Sequence, residues 1–221
     1  MVAKASVVKA ERRDSRTVLL DATADLLSER PSLDVSLSEI AVRSGLNSAL
    51  IKYYFGSKDG LLLAMLERDA EKSMAALASL VRMELPADQK LRIHISGIIN
   101  TYYRSPYLNR LISYLVVQGD PAAAQRVVEM FVEPMIEAYR AIVKQGVGEG
   151  AFRPIDPGML YYSVVGACEH IFYATYAVPT ILEASELTEQ TKQQYVQHVV
   201  DMCLGGILAD PGQYRPTAVA R

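Results

Sequence analysis

An all-α fold is predicted by three features of the sequence. Ala, Leu and Val are abundant while Gly and Pro are sparse, no strand-like alternation persists between turn signals, and apolar residues recur at helical spacing from Leu19 onward. The 221 residues, 50% of them hydrophobic, suffice for one large domain or two small ones with a sizeable core.

Leu19, Ala22, Thr23, Leu26 and Leu27 share one helical face and predict a first helix from about residue 12 to 29, ended by Pro31. Ser36 is a good N-cap and Glu39 stands three residues later, the arrangement of a capping box. A short second helix therefore starts here, with Ile40 and Ala41 facing inward. Gly45 ends it, Leu46 turns back into the core, and Asn47 or Ser48 is placed to cap a third helix reaching Tyr54. Two short helices joined by a Gly-containing turn form the helix-turn-helix layout. Gly56 breaks the chain again, and Ser57 opens a fourth helix expected to reach Met83, with Leu61, Ala64, Met65 and Leu66 beginning its inward stripe. Beyond Pro86, helices are expected over residues 87–104, 106–118, 121–146, 156–178 and 188–208. Their ends are marked by Pro106, Gly119, Pro121, the GVGEG stretch, Pro154, Pro157 and Pro179. Residues 211–221 read as a frayed tail.

Net charge is only -2, so any attraction to nucleic acid must be local. Lys4, Lys9, Arg12, Arg13 and Arg16 face only Glu11 and Asp14, and residues 1–11 read as a disordered basic arm. No leader-like segment or membrane span is found, which predicts a cytoplasmic protein with no membrane partner. Cys168 and Cys203 read as two buried thiols, and His94, His170 and His198 are isolated in sequence; no metal or cofactor is expected. Cys168, Glu169 and His170 are consecutive on a helix, so they point in different directions and do not converge as a catalytic set.

In GLNSALIKYYFGSKDGL, residues 45–61, the inward positions are Gly45, Leu46, Ile51 and Tyr54; Leu50 and Ile51 hold the third helix onto the first two, and Tyr54 and Phe55 close the small core. Asn47, Ser48, Ala49, Lys52 and Tyr53 are left facing out. A helix end of small and hydrogen-bonding residues suits the major groove, with Lys52 and Tyr53 reaching bases or phosphates. Lys58 falls in the first turn of the next helix, where the dipole already favours an anion, so its expected partner is a phosphate.

The run SLSEIAVRSGLNSALIKYYFGSKDGLLLAML resembles the DNA-binding domain of the TetR family of bacterial transcriptional regulators, most specifically in YYFGSKDGLL. The rest of the chain is similar in length, helical character and helix order. The resemblance implies an N-terminal three-helix helix-turn-helix domain, residues 12–60, joined to a larger helical ligand-binding and dimerisation domain, residues 61–210. It places Ser36 near a phosphate, Ser48, Ala49 and Lys52 toward base edges, and Tyr53 and Lys58 on the backbone.

The resemblance also implies a homodimer, a double-stranded operator and a small-molecule effector. Val196, Val199, Val200, Cys203, Leu204 and Ile207 form one stripe on the last long helix and are the expected dimer face, together with the apolar helix at residues 161–176. Tyr102, Tyr103, Tyr114, Phe131, Met135, Tyr162, Glu169, His170 and Tyr173 are the candidate effector residues, because a buried Tyr needs a partner for its hydroxyl. The reading is a ligand-responsive regulator, a repressor released by its effector, and not an enzyme. A helical small-molecule enzyme or a protein-binding adaptor is the alternative.

Overall fold

The computed structural model describes residues 14–30, 32–210 and 212. The basic arm at 1–11, the expected helix start at residue 12, the stop at Pro31 and nearly all of the tail at 211–221 lie outside the described residues. Eleven α helices follow in order among the described residues. They are α1 (Ser15–Ser28), α2 (Leu37–Ser44), α3 (Ala49–Phe55), α4 (Lys58–Arg82), α5 (Ala87–Arg104), α6 (Leu108–Val117), α7 (Pro121–Val127), α8 (Glu133–Gly148), α9 (Pro157–Tyr173), α10 (Val178–Ile181) and α11 (Glu189–Ile207).

The first helices end and begin where their side chains dictate. Ser36 Oγ accepts from the Glu39 N–H and the Glu39 carboxylate accepts from the Ser36 N–H, so the capping box is closed in both directions. Gly45 closes α2 in the left-handed region at φ 68°. Ahead of α3 the cap is not a helix cap proper: Asn47 Oδ1 accepts from the Ala49 N–H at 2.8 Å, while the Ser48 side chain makes no capping bond. Ser57 Oγ accepts from the Gly60 N–H and opens α4.

Two expected helices prove to be broken. Residues 121–146 were expected to form one helix, but a π-helical turn at Val128–Val132 separates α7 from α8. Pro134 has no N–H to continue the ladder, and the Glu133 N–H reaches back five residues to the Val128 carbonyl. Residues 156–178 were likewise expected to be continuous, but α9 stops at Tyr173, with Ala174 at φ -95°, ψ 34°. A 3₁₀ turn at Thr175–Ala177 follows, and Pro179 sits in the first turn of α10 rather than ending a helix.

Two hydrophobic clusters organise the molecule. Leu19, Leu20 and Leu27 of α1, Ile40 and Ile51 gather with the first half of α4 and with Leu108, Leu111 and Leu115 of α6. Leu91, Ile95 and Ile99 of α5 gather with Tyr139 and Ile142 of α8, Val164 and Cys168 of α9 and Val200 and Leu204 of α11, and Leu77 of α4 enters this cluster. Helix α4 thus contributes to both, and α6 packs its apolar face on the helix-turn-helix.

Gly60 is held where any side chain would collide, since a Cβ there would lie 2.1 Å from the Phe55 carbonyl oxygen. That contact fixes the angle between α3 and α4. Gly60→Ala is expected to lower the melting temperature by several degrees despite alanine's better helix propensity; an unchanged or raised value contradicts this packing.

Candidate functional site

The helix-turn-helix is tied together by arginines. Arg43 forks onto both carboxylate oxygens of Glu29, at 2.8 and 2.6 Å, joining the end of α2 to the end of α1. Arg30 Nη2 donates to Glu39 Oε1 at 2.7 Å. That bond, followed by those from the Ser36 backbone and hydroxyl, lowers the Glu39 carboxyl to about 2. Arg16 lies over the Phe55 ring at 5.3 Å, so it is part of α1 and covers α3 rather than extending a basic arm.

With Arg30 and Arg43 paired, α3 presents a face of its own. Ile51 is fully buried and Leu50 half-buried, whereas Asn47, Ser48, Ala49 and Lys52 are exposed and Tyr53 is 79% exposed. Tyr54 was expected inside but is 36% exposed, standing edge-on to Tyr53 with ring centroids 5.0 Å apart. In a seven-residue helix resting on Ile51 the inward position one turn later falls on Phe55, which turns Tyr54 toward solvent. The Ser36 hydroxyl is exposed but engaged with Glu39. Lys58 is half-buried, and neither it nor Lys52 has an ion-pair partner among the described residues.

The nine candidate effector residues do not share one cavity. Tyr102 and Tyr103 stand against Phe172, with centroids at 6.1 and 6.5 Å, and Met135 joins the same cluster. Glu169 is half-buried, and its carboxyl is raised mainly by that burial. Tyr114 and Tyr173 line a cleft of about 560 Å³ between α6 and the helix-turn-helix. Phe131 lines another of about 490 Å³ bounded by Arg16, Arg68 and Arg126. Tyr162, His170 and Tyr173 are exposed on α9, Tyr162 at 75%, so Tyr162 and His170 do not face an interior. A helix packed on one side sends every residue of its other face to solvent.

The expected dimer stripe is also turned inward. Val199, Val200, Cys203, Leu204 and Ile207 are buried in the chain's own core and Val196 packs against it, because α11 uses its apolar face on α5 and α9. The opposite faces carry exposed Met159, Tyr162 and Tyr173 on α9 and Met202 on α11. Cys168 is buried, Glu169 half-buried and His170 exposed, so these three groups diverge as helical spacing requires.

Residues that sequence reasoning passed over hold the most unusual chemistry. His94 and Tyr139 are buried edge to face at 5.2 Å, and His94 Nε2 and the Tyr139 hydroxyl have no hydrogen-bond partner among the described residues. Burial alone lowers the His94 imidazole to about 4, and burial, followed by the nearby Cys168, Cys203 and Tyr161, raises the Tyr139 phenol. The signal lay in register, since His94 falls on the apolar face of α5 with Leu91 and Ile95. Arg110 was likewise missed.

The model for "Bacterial regulatory proteins, tetR family" matches residues 19–65, and that for "Tetracyclin repressor-like, C-terminal domain" matches residues 84–213. The chain belongs to the TetR family. It is accordingly a DNA-binding transcriptional regulator, with a helix-turn-helix at its N-terminal end and a helical C-terminal domain. The HTH-type transcriptional repressor NicS of Pseudomonas putida is 24% identical over 204 residues, spanning 90% of this chain and 96% of NicS. Among TetR-like solved structures, the MbdR regulator from Azoarcus sp. CIB superposes with a TM-score of 0.69 at 21% identity, over 87% of this chain and 98% of that one. FadR from Bacillus subtilis, solved in complex with stearoyl-CoA, gives 0.67 at 16%, over 86% and 98%. These two likenesses establish the fold.

A histidine held neutral by burial binds fewer protons folded than unfolded. Its contribution is complete above the unfolded value of about 6.5 and is lost as pH falls toward about 4. Over that window it should account for up to ~3 kcal/mol of lost stability. Chemical denaturation of His94→Phe between pH 7 and pH 4.5 should show a flatter decline than the parent protein; parallel declines contradict the assignment.

Proposed function

We propose that this regulator is a cytoplasmic homodimeric repressor that binds a palindromic operator through α3 and is released when a small molecule binds the larger domain. The observation that carries the reading is the set of exposed Lys52 and Tyr53 and half-buried Lys58, neither lysine ion-paired among the described residues, beside a helix-turn-helix whose Arg30 and Arg43 are already committed internally. Ser48, Ala49 and Lys52 meet base edges, and Tyr53 and Lys58 meet phosphates. With the Ser36 hydroxyl engaged by Glu39, the phosphate contact expected of Ser36 falls to the α2 N-terminus that it caps. The basic arm adds phosphate contacts.

Two recognition helices must lie about 34–36 Å apart to read successive half-sites. The dimer face we assign is the exposed side of α9 and α11, through Met159, Tyr162, Tyr173 and Met202, since the stripe first expected is spent on the core. The effector site is the meeting of α5, α8 and α9, where His94 Nε2 and the Tyr139 hydroxyl supply two buried polar handles beside Tyr102, Tyr103, Met135 and Glu169. An aromatic or hydrophobic compound with a hydroxyl or carboxyl group suits that chemistry. The protein acts by binding, without making or breaking bonds. A hundredfold loss of operator affinity requires the effector to favour the incompetent state by about 2.7 kcal/mol.

Fluorescence anisotropy against DNA from the protein's own upstream region tests this reading. Lys52→Ala should abolish fragment-selective binding. Tyr53→Phe and Lys58→Ala should each weaken it several-fold without loss of fold, Lys58→Ala with a salt slope shallower by about one unit. Tyr162→Glu, on the assigned dimer face, should reduce binding of a full palindrome to that of a half-site. Parent-like affinity in all four variants contradicts the reading.

A further inference from the structure

The cleft of about 560 Å³ between α6 and the helix-turn-helix has the size of small-molecule sites, which span about 300–1,000 Å³. Its walls are apolar where Leu33, Val117 and the Tyr114 and Tyr173 rings stand, and cationic where Lys58 and Arg110 stand. Arg110 reaches across the domain boundary. Its Nη2 donates to the Leu27 carbonyl at 3.2 Å and the Arg30 carbonyl at 3.0 Å, gripping the end of α1. Its Nε is buried without a hydrogen-bond partner among the described residues, and no carboxylate there pairs with its charge. A guanidinium taken from water and satisfied only by two carbonyls has donor capacity left for an anion.

The second wall is also a strut. The Tyr114 hydroxyl donates to Asp59 Oδ1 at 3.1 Å, next to Lys58 in the first turn of α4. The opposing charges are Asp34 at the cleft's edge and Asp59, already engaged by Tyr114. The other cleft differs here, since its Arg68 and Arg126 are paired with Asp21, Asp69, Glu67 and Glu129.

We propose that this cleft is a second, inter-domain regulatory site for an amphipathic organic anion, its acid group on Arg110 and Lys58 and its apolar body against Leu33, Val117 and Tyr114. The proposal rests on the regulator reading and is distinct from the effector site at His94 and Tyr139. An anion here draws on the two struts that join α6 to α1 and α4, and it occupies Lys58, the residue assigned to operator phosphate. Ligand and DNA therefore compete through a shared lysine as well as through the angle of α1.

The test uses the full chain and the fluorescent probe 8-anilinonaphthalene-1-sulfonate, an anion with a bulky aromatic body. A saturable site is expected that is weakened at least tenfold by Val117→Glu, whose exposed position spares the fold, and by Arg110→Gln. Inorganic phosphate at equal ionic strength should leave the probe bound, and decanoate should displace it. Saturating probe should weaken binding of the upstream DNA fragment by the parent at least fivefold but leave Val117→Glu unaffected. Probe affinity unchanged in both variants, or displacement by phosphate as effective as by decanoate, overturns the site. Upstream DNA binding without probe is measured separately, so failure of the regulator reading is told apart from failure of the cleft.

Discussion

Leu61, Leu62, Met65 and Leu66 on the first half of α4 are buried with the helix-turn-helix, while Leu77 is buried with α5, α8, α9 and α11. At 25 residues this helix is a rod of roughly 37 Å shared by two cores. Neither core deforms continuously, because close-packed side chains move between discrete arrangements. On the proposed reading, a change of packing in the larger cluster would reach the recognition helix as a tilt of α4. Further ties brace the same rod: Arg68 to Asp21 of α1, the Tyr107 hydroxyl to Asp69, and Tyr114 to Asp59. Regulation follows from this shared helix more than from any one side chain.

The electrostatics sort themselves by residue type. Arg30, Arg43 and Arg16 are consumed inside the helix-turn-helix, on Glu39, Glu29 and the Phe55 ring. Arginine's planar fork suits such fixed bonds, whereas lysine is a mobile point charge. Lys52 and Lys58 are left on this surface without an acidic partner among the described residues, and Arg16, stacked on Phe55, keeps its positive charge. A chain with net charge -2 thus offers DNA a locally positive face without being basic overall.

Where local chemistry decides structure, the sequence was legible. Ser36 with Glu39, Gly45, Gly56 and Ser57 each announce a helix end that is found, and the bounds of α4 and α5 follow within a residue. Where a tertiary choice decides, it was not. The stripe on α11 shows that one face is apolar but not whether its partner is the same chain or a second copy. The tyrosines are abundant, yet burial separates Tyr102 and Tyr139 from Tyr162, and spacing alone carries no such information. The break before Pro134 was readable from its missing N–H and was passed over, as was His94 on an apolar face.

Hydrogen exchange of the protein with and without its upstream DNA fragment tests the central claim that the operator and the larger domain are coupled through α4. The account predicts added protection over α2 and α3 together with altered exchange in the second half of α4, far from the DNA. Changes confined to residues 36–58 would show that the DNA-binding unit acts alone and would contradict the shared-helix mechanism.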